Sequence, residues 1–310
     1  MNLFVIGNGF DLAHGLKTSY DDFRVYMQEK YPDADSEEFV MPDVYTMPDG
    51  GEAIDDDIAV RFLIRIISVT EGDKWKDVET TLGILDFSDC FDGITYDRDS
   101  DGDIDPWKQV YRNEDIALNI VLPTTKISEY FSGWIDTIEI SDDITIKDDF
   151  VKLINADENL FLTFNYTETL EQIYGAKNVC HIHGKQGEEI LFGHGNDTDY
   201  SEENMKDYIG AENALDQIQA SLRKNTSRAI EQHKGFFDSI DSKVDKVYSF
   251  GFSFSEVDAI YIEQICSRLT NPNTVWYLND YDDKNKRCEY IRILSKYGYK
   301  GKFSTYSVKK

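Results

Sequence analysis

Six short apolar runs constrain how this chain can fold more than any other feature. "LFVI" (3–6) opens the chain, and the other five follow residue 158: "NLFLTFNY" (159–166), "NVCHIHG" (178–184), "EILFGHG" (189–195), "KVYSFGFS" (246–253) and "NTVWYLND" (273–280). A continuous apolar run suits a strand covered on both faces, as in a parallel sheet, whereas a half-exposed strand alternates. Helical segments separate most of the later runs, and that alternation indicates βαβ units. The expected fold is α/β with a parallel sheet. Residues 1–24 and 151–310 would form its core, and residues 25–150 read as a mostly helical, acidic insertion.

Within the insertion, Tyr31 to Val60 holds ten acids and no Lys or Arg, with Pro32, Pro42 and Pro48, which marks a surface excursion. Ala59–Val69 reads as a buried helix, and Trp75, Val78, Leu82 and Leu85 follow at helical spacing. The helical pattern returns from Asp115 to Thr137, where Pro123 is expected to split it. The loop Asp97-x-Asp99-x-Asp101-Gly102-x-Ile104 matches the first half of a calcium loop. Lys108 stands where the bidentate glutamate is needed, so a solvated acidic loop is the first reading and a weak calcium site the second.

The formal net charge of -27 repels phosphate backbones and anionic lipid, which argues against direct nucleic-acid or membrane binding. No apolar run approaches the roughly 18 residues of a membrane span. The opening residues lack the basic start and apolar core of a signal peptide, so a cytoplasmic location is expected. Cys90, Cys180, Cys266 and Cys288 form no CxxC pair and read as reduced thiols.

Chemistry-bearing residues gather at the ends of the apolar runs. Gly7-Asn8-Gly9-Phe10 follows a buried strand and opens a helix, a context in which backbone amides can cradle a phosphate; the third glycine of the GxGxxG fingerprint is replaced by Leu12. Asn165 stands at a strand exit and could cap the helix that follows or face a ligand. His181 and His183 share a face, as backbone-bonded core histidines or as two ligands of a metal completed by His194. Gly184 implies a sharp turn that presents His183 to a cleft. Gly251 and Ser253 could line a nucleotide, and Ser255-Glu256-Val257-Asp258 has the spacing of a helix capping box.

Taken in order, "NLFVIGNGFDLAHGLKTSYDDF", "KWKDVE" with Trp75 and Glu79, "FNYTETLEQIY", "HIHG", "FGHG" and "SFGFSFSEVD" resemble the AbiH family of bacterial phage abortive-infection proteins. That family is distantly similar to sirtuin-type NAD-binding domains, which implies a Rossmann-like, sirtuin-like core. The resemblance places Gly7, Gly9 and Phe10 on the phosphate loop and Asn165 beside the nicotinamide-side ribose. It puts His183 at the catalytic histidine and Gly251 and Ser253 on a later nucleotide loop. Asn8, Asp11, Tyr166, Gly184, Gly193, His194 and Asp258 complete the expected nucleotide-binding set. Tyr166 and Thr167 replace the sirtuin Ile and Asp, and the zinc-binding cysteine quartet is absent, which argues against protein deacetylation.

The resemblance implies a defence protein that hydrolyses NAD to nicotinamide and ADP-ribose when triggered, with Asn165 and His183 catalytic and no metal required. His183 would act as general base. Two other readings stay open: a non-catalytic nucleotide-binding sensor or protein-interaction module, and a metal hydrolase using His181, His183 and His194. A phage-encoded trigger or protein partner and a homo-oligomer are compatible with either.

Overall fold

The N-terminal apolar run forms β1 (Asn2–Ile6), buried along its whole length. The computed structural model describes residues 1–310 apart from 35–38, 93, 95, 96, 99, 155–157, 242, 309 and 310. In chain order the next strands are β2 (Tyr45–Thr46) and β3 (Glu52–Ala53), which pair as an antiparallel hairpin. Then come β4 (Asn159–Thr163), β5 (Val179–His181), β6 (Lys246–Phe250), β7 (Val275–Asn279) and β8 (Lys302–Tyr306). β1 and β4 to β8 make one six-stranded sheet in the order β5-β4-β1-β6-β7-β8, with every pair parallel. The chain steps outward from β1 through β4 to β5, then returns to the other side of β1 to begin β6. This is the doubly wound, Rossmann-like order, and its switch point lies between β1 and β6.

An aromatic ladder crosses one face of the sheet. Phe4 stands opposite both Phe161 and Tyr248, and Tyr248 opposite Tyr277. Their rings stack at centroid distances of 5.0, 5.1 and 4.8 Å. Each such pair adds about 0.5–1.5 kcal/mol beyond its burial, and a register slip would lose all three at once. Phe10, Phe150 and Leu170 cover this face, while Leu3, Val5, Leu162 and Val247 point the other way against the helices Ala259–Arg268 and Lys284–Lys296.

Two of the strand assignments change. "EILFGHG" makes no strand; its contacts include an isolated bridge between His194 and Arg223 and a bond from Leu191 N–H to His183 O. Gly193 there has φ +146°, and a Cβ on it would lie 2.1 Å from Leu222 O, a backbone contact that no side chain tolerates. The sixth strand of the sheet is instead β8, "KFSTY". As an edge strand with no fully buried residue, it lacks the apolar run that marks the others.

The chain divides into two compact units. Met1–Ser19, Ile135–Leu191 and Asn225–Lys310 form the first, which holds the sheet; Tyr20–Trp134 and Phe192–Lys224 form the second, which is mainly helical. Residues 192–224 thus fold with the insertion, because Phe192 stacks on Phe131 at 3.9 Å and Lys224 Nζ lies 2.6 Å from Glu79 Oε1. The same unit buries Trp75 against Phe23, 6.1 Å between ring centroids. Its helices Asp56–Glu71 and Pro106–Thr125 start at Asp55 and Asp105, whose carboxylates accept backbone N–H bonds as N-caps. Pro123 stays inside the second of these, and the break comes at Lys126. The Thr124 and Thr125 hydroxyls donate back to the Ile120 and Val121 carbonyls, which holds the turn together despite the missing amide.

At the switch point the loops after β1 and β6 touch backbone to backbone. A Cβ on Gly251 would lie 2.3 Å from Phe10 N, and its φ of +64° is already unfavourable for any other residue. Gly251→Ala should therefore cost about 2–5 kcal/mol. Gly298→Ala, at φ +88° with nothing within 4 Å of the added Cβ, should cost about 1 kcal/mol. Urea unfolding of both variants separates overlap from backbone strain.

Candidate functional site

In open parallel sheets, ligands bind beyond the carboxyl ends of the strands. β1, β4, β5 and β6 end there in Gly7-Asn8-Gly9, Phe164-Asn165-Tyr166, Ile182-His183-Gly184 and Gly251-Phe252-Ser253.

The glycine loop serves the protein's own packing. Gly7 N–H donates to Phe250 O (3.0 Å), Gly9 N–H to Gly251 O (2.9 Å) and Phe10 N–H to Gly7 O (2.9 Å). Three amides that could cradle a phosphate are thereby bonded within the fold. The Phe10 ring is in the core, 5.1 Å from that of Phe250, and exposed Asn8 ties the loop to Thr18 O at 2.7 Å.

Asp11 is 1% exposed, and its Oδ2 accepts a 2.5 Å bond from the Thr167 hydroxyl. Burial pushes its pKa from 3.8 up to about 6, against the anion-stabilising pull of Thr167, Thr169 and Asn165 and the charge of His181. Asp11 Oδ1 and Asn165 Oδ1 are both buried and have no hydrogen-bond partner among the described residues. Asn165 does not cap the following helix: Glu168 occupies the N-cap of Thr169–Tyr174, and Asn165 N–H donates to Thr163 Oγ1 at 3.1 Å. The Asn165 side chain instead helps to hold the Asp11 carboxylate.

His181 and His183 have different tasks. His181 Nδ1 donates to Asn165 O (3.0 Å), since a carbonyl only accepts, and Nε2 faces Glu171 Oε1 at 2.8 Å. The ring ties the end of β5 to the Asn165 loop. His183, 3% exposed, sits among the rings of Phe164 (5.4 Å), Tyr261 (5.5 Å) and Tyr166 (6.3 Å). Its Nε2 lies 3.5 Å from Asp258 Oδ1, at the start of the Ala259–Arg268 helix. Ser255 makes no side-chain cap bond and donates its hydroxyl to Asp258 Oδ2 at 3.3 Å, so the expected capping box is a support for that carboxylate. Gly184, at φ +79°, makes the sharp turn after His183. The Tyr166 hydroxyl donates to Leu191 O at 3.1 Å.

The residues singled out in sequence do not all meet. His183 and Gly184 line a pocket of about 360 Å³ with His181, Arg228 and His233. Gly9, Gly251 and Ser253 line another of about 120 Å³ with Lys286 and Tyr290, below the range of about 300–1,000 Å³ usual for ligand pockets. Gly193 and His194 belong to the helical unit. There His194 Nδ1 accepts from Asn196 N–H (3.1 Å) and Nε2 donates to Gln219 O (3.0 Å). Burial lowers its pKa, which favours the neutral ring. Both nitrogens of His181 and both of His194 are engaged by neighbours within their own units. Nothing in the spacing of Glu171, Arg228 and His233 signals a site in the sequence, and Thr167 stands out there only as a departure from the sirtuin pattern. Asp97 pairs with Lys108 at 3.2 Å, and Asp99 lies outside the described residues. Among the described residues no group of three or more His, Cys, Asp or Glu could hold a metal.

Residues 3–280 match the family model described as bacteriophage abortive infection AbiH. The chain belongs to that family. The family's description gives its members a role in bacteriophage abortive infection. No curated protein and no solved structure matches the chain. Among the described residues, no helix is long and apolar enough to cross a membrane.

Asp11 ties stability to pH. Its folded pKa lies above the unfolded one, so its favourable contribution is complete below about pH 4 and lost as pH rises through about 6, a swing of about 3 kcal/mol. Asp11→Asn should abolish that swing and be more stable than wild type at pH 7, as denaturant titrations at the two pH values would show. His181→Ala should lose about 2–4 kcal/mol, because it strips partners from Asn165 O and Glu171. Thermal unfolding measures this loss.

Proposed function

We propose that the carboxyl edge of the sheet binds NAD and hydrolyses its nicotinamide–ribose bond, and that this cleavage is how the protein acts in abortive infection. The observation that carries the reading is the buried imidazole–carboxylate pair, His183 Nε2 and Asp258 Oδ1 at 3.5 Å, at the end of β5. A histidine backed by a carboxylate can take a proton while the acid steadies the resulting cation.

The residues present fit the nucleoside part of the ligand. Asp11 Oδ1 and Asn165 Oδ1 are buried acceptors that need donors, and ribose hydroxyls supply them. They do not fit the diphosphate in the way the family resemblance implies, since the amides of Gly7, Gly9 and Phe10 are bonded to Phe250, Gly251 and Gly7. In the hydrolysis, a water oxygen bonds to the anomeric carbon as the carbon–nitrogen bond to nicotinamide breaks, and the pair of electrons leaves with the ring. His183 removes the water's proton, for which a positioned base contributes about 10²–10⁴-fold. Asp258 orients the imidazole and stabilises its charge. Asn165 and Asp11 hold the sugar, and the rings of Phe164, Tyr166 and Tyr261 keep bulk water from His183.

The test is release of nicotinamide from NAD by the full chain, alone and with lysate from phage-infected cells. His183→Gln should lower cleavage at least ~100-fold and Asp258→Asn about 10–100-fold. The 3% exposure of His183 makes circular dichroism of each variant a necessary companion measurement. Full activity in a folded His183→Gln would overturn the assignment. NAD binding without turnover under every condition would favour the sensor reading.

A further inference from the structure

The helical unit contains an open apolar groove of about 280 Å³, formed by the Gly83–Phe87 loop and the helices Ser201–Asp207 and Glu212–Ser221. Its floor is Leu215 and Ile218, and Ile84 stands at the mouth, 48% exposed. The rim carries Asp86, Glu203 and Asp207, and no Lys, Arg or His is among the described residues that line it. Among the described residues, none of these three carboxylates makes an ion pair with a cation. Their field is felt inside the groove: the Tyr208 hydroxyl is pushed up first by burial and then by the charges of Asp86 and Asp207.

We infer that this groove docks a basic, amphipathic segment of a partner protein, leucine-like side chains on the floor and lysine or arginine heads on the acidic rim. Three observations select that occupant. The apolar floor gains by being removed from water, about 25 cal/mol for each Å² covered. The rim rejects anions, and it disfavours a second copy of a chain whose formal net charge is -27. Two helices and a loop around an apolar trough match the way one helix lays its apolar face into a groove. Long-range attraction from the same net charge speeds the encounter, while the groove sets where the segment sits.

Fluorescence anisotropy of the full chain with a labelled helical leucine–lysine peptide tests this at physiological salt, with the leucine–glutamate peptide as control. The lysine peptide should bind and the glutamate peptide should not. The double variant Glu203→Gln/Asp207→Asn should weaken binding roughly 10-fold or more, whereas Glu114→Gln/Asp115→Asn, exposed carboxylates outside the groove, should change it less than about twofold. Ile84→Asp should also weaken binding, because it breaks the apolar mouth without touching the buried floor. Equal losses in the two double variants would mean diffuse attraction to an acidic protein and overturn the proposal. So would complete displacement of the peptide by spermidine at similar charge concentration, or a change of oligomeric state in the groove variant by sedimentation.

Discussion

The structure depends on four parallel strands held in one register. Phe161, Phe4, Tyr248 and Tyr277 stack across β4, β1, β6 and β7, and this ladder works only if the strand ends line up as they do. Because the pairing is in register, Ile6 stands beside Thr163 and Phe250, and Thr163 beside His181. Everything that follows these residues emerges at one edge. A slip by one residue would turn each side chain to the opposite face and scatter Asp11, Asn165 and His183.

At that edge the fold tolerates polar burial that a structural core would avoid. Among the described residues Asp11 Oδ1 and Asn165 Oδ1 keep no donor, and His181 is spent on fixing the Asn165 backbone and Glu171. Unpaired buried acceptors cost about 1–3 kcal/mol each. The raised pKa of Asp11 has the same origin in desolvation. The glycine loop works in the opposite direction. Gly7 and Gly9 donate to Phe250 at the end of β6 and to Gly251 just after it, and Phe10 to Gly7, so the loop locks the edge in place.

The helical unit shows how a contact remote in sequence redraws a boundary. Residues 192–224 follow the first three strands of the sheet in chain order, yet they join the insertion through the Phe192–Phe131 stack and the Lys224–Glu79 pair. Glu79 and Trp75 belong to one short motif, and both are engaged in holding this unit together. Its acidic character is concentrated around a groove as well as spread over a solvated surface.

The sequence by itself determined the α/β class, the buried central strands and the glycine turns after β1, β5 and β6, because continuous apolar runs and glycines act locally. It also marked Asn165, His181 and His183 as exceptional, since polar residues at the end of buried strands need a reason. Tertiary structure decided the rest. β8 was illegible because an edge strand has no apolar run, and "EILFGHG" misled because its apolarity serves packing without a ladder. The pairing of His183 with Asp258, 75 residues later in the chain, and the glycine contact across β1 and β6 exist only once the strands are side by side. Hydrophobic pattern is read along the chain, but the partner of a buried charge is chosen in space.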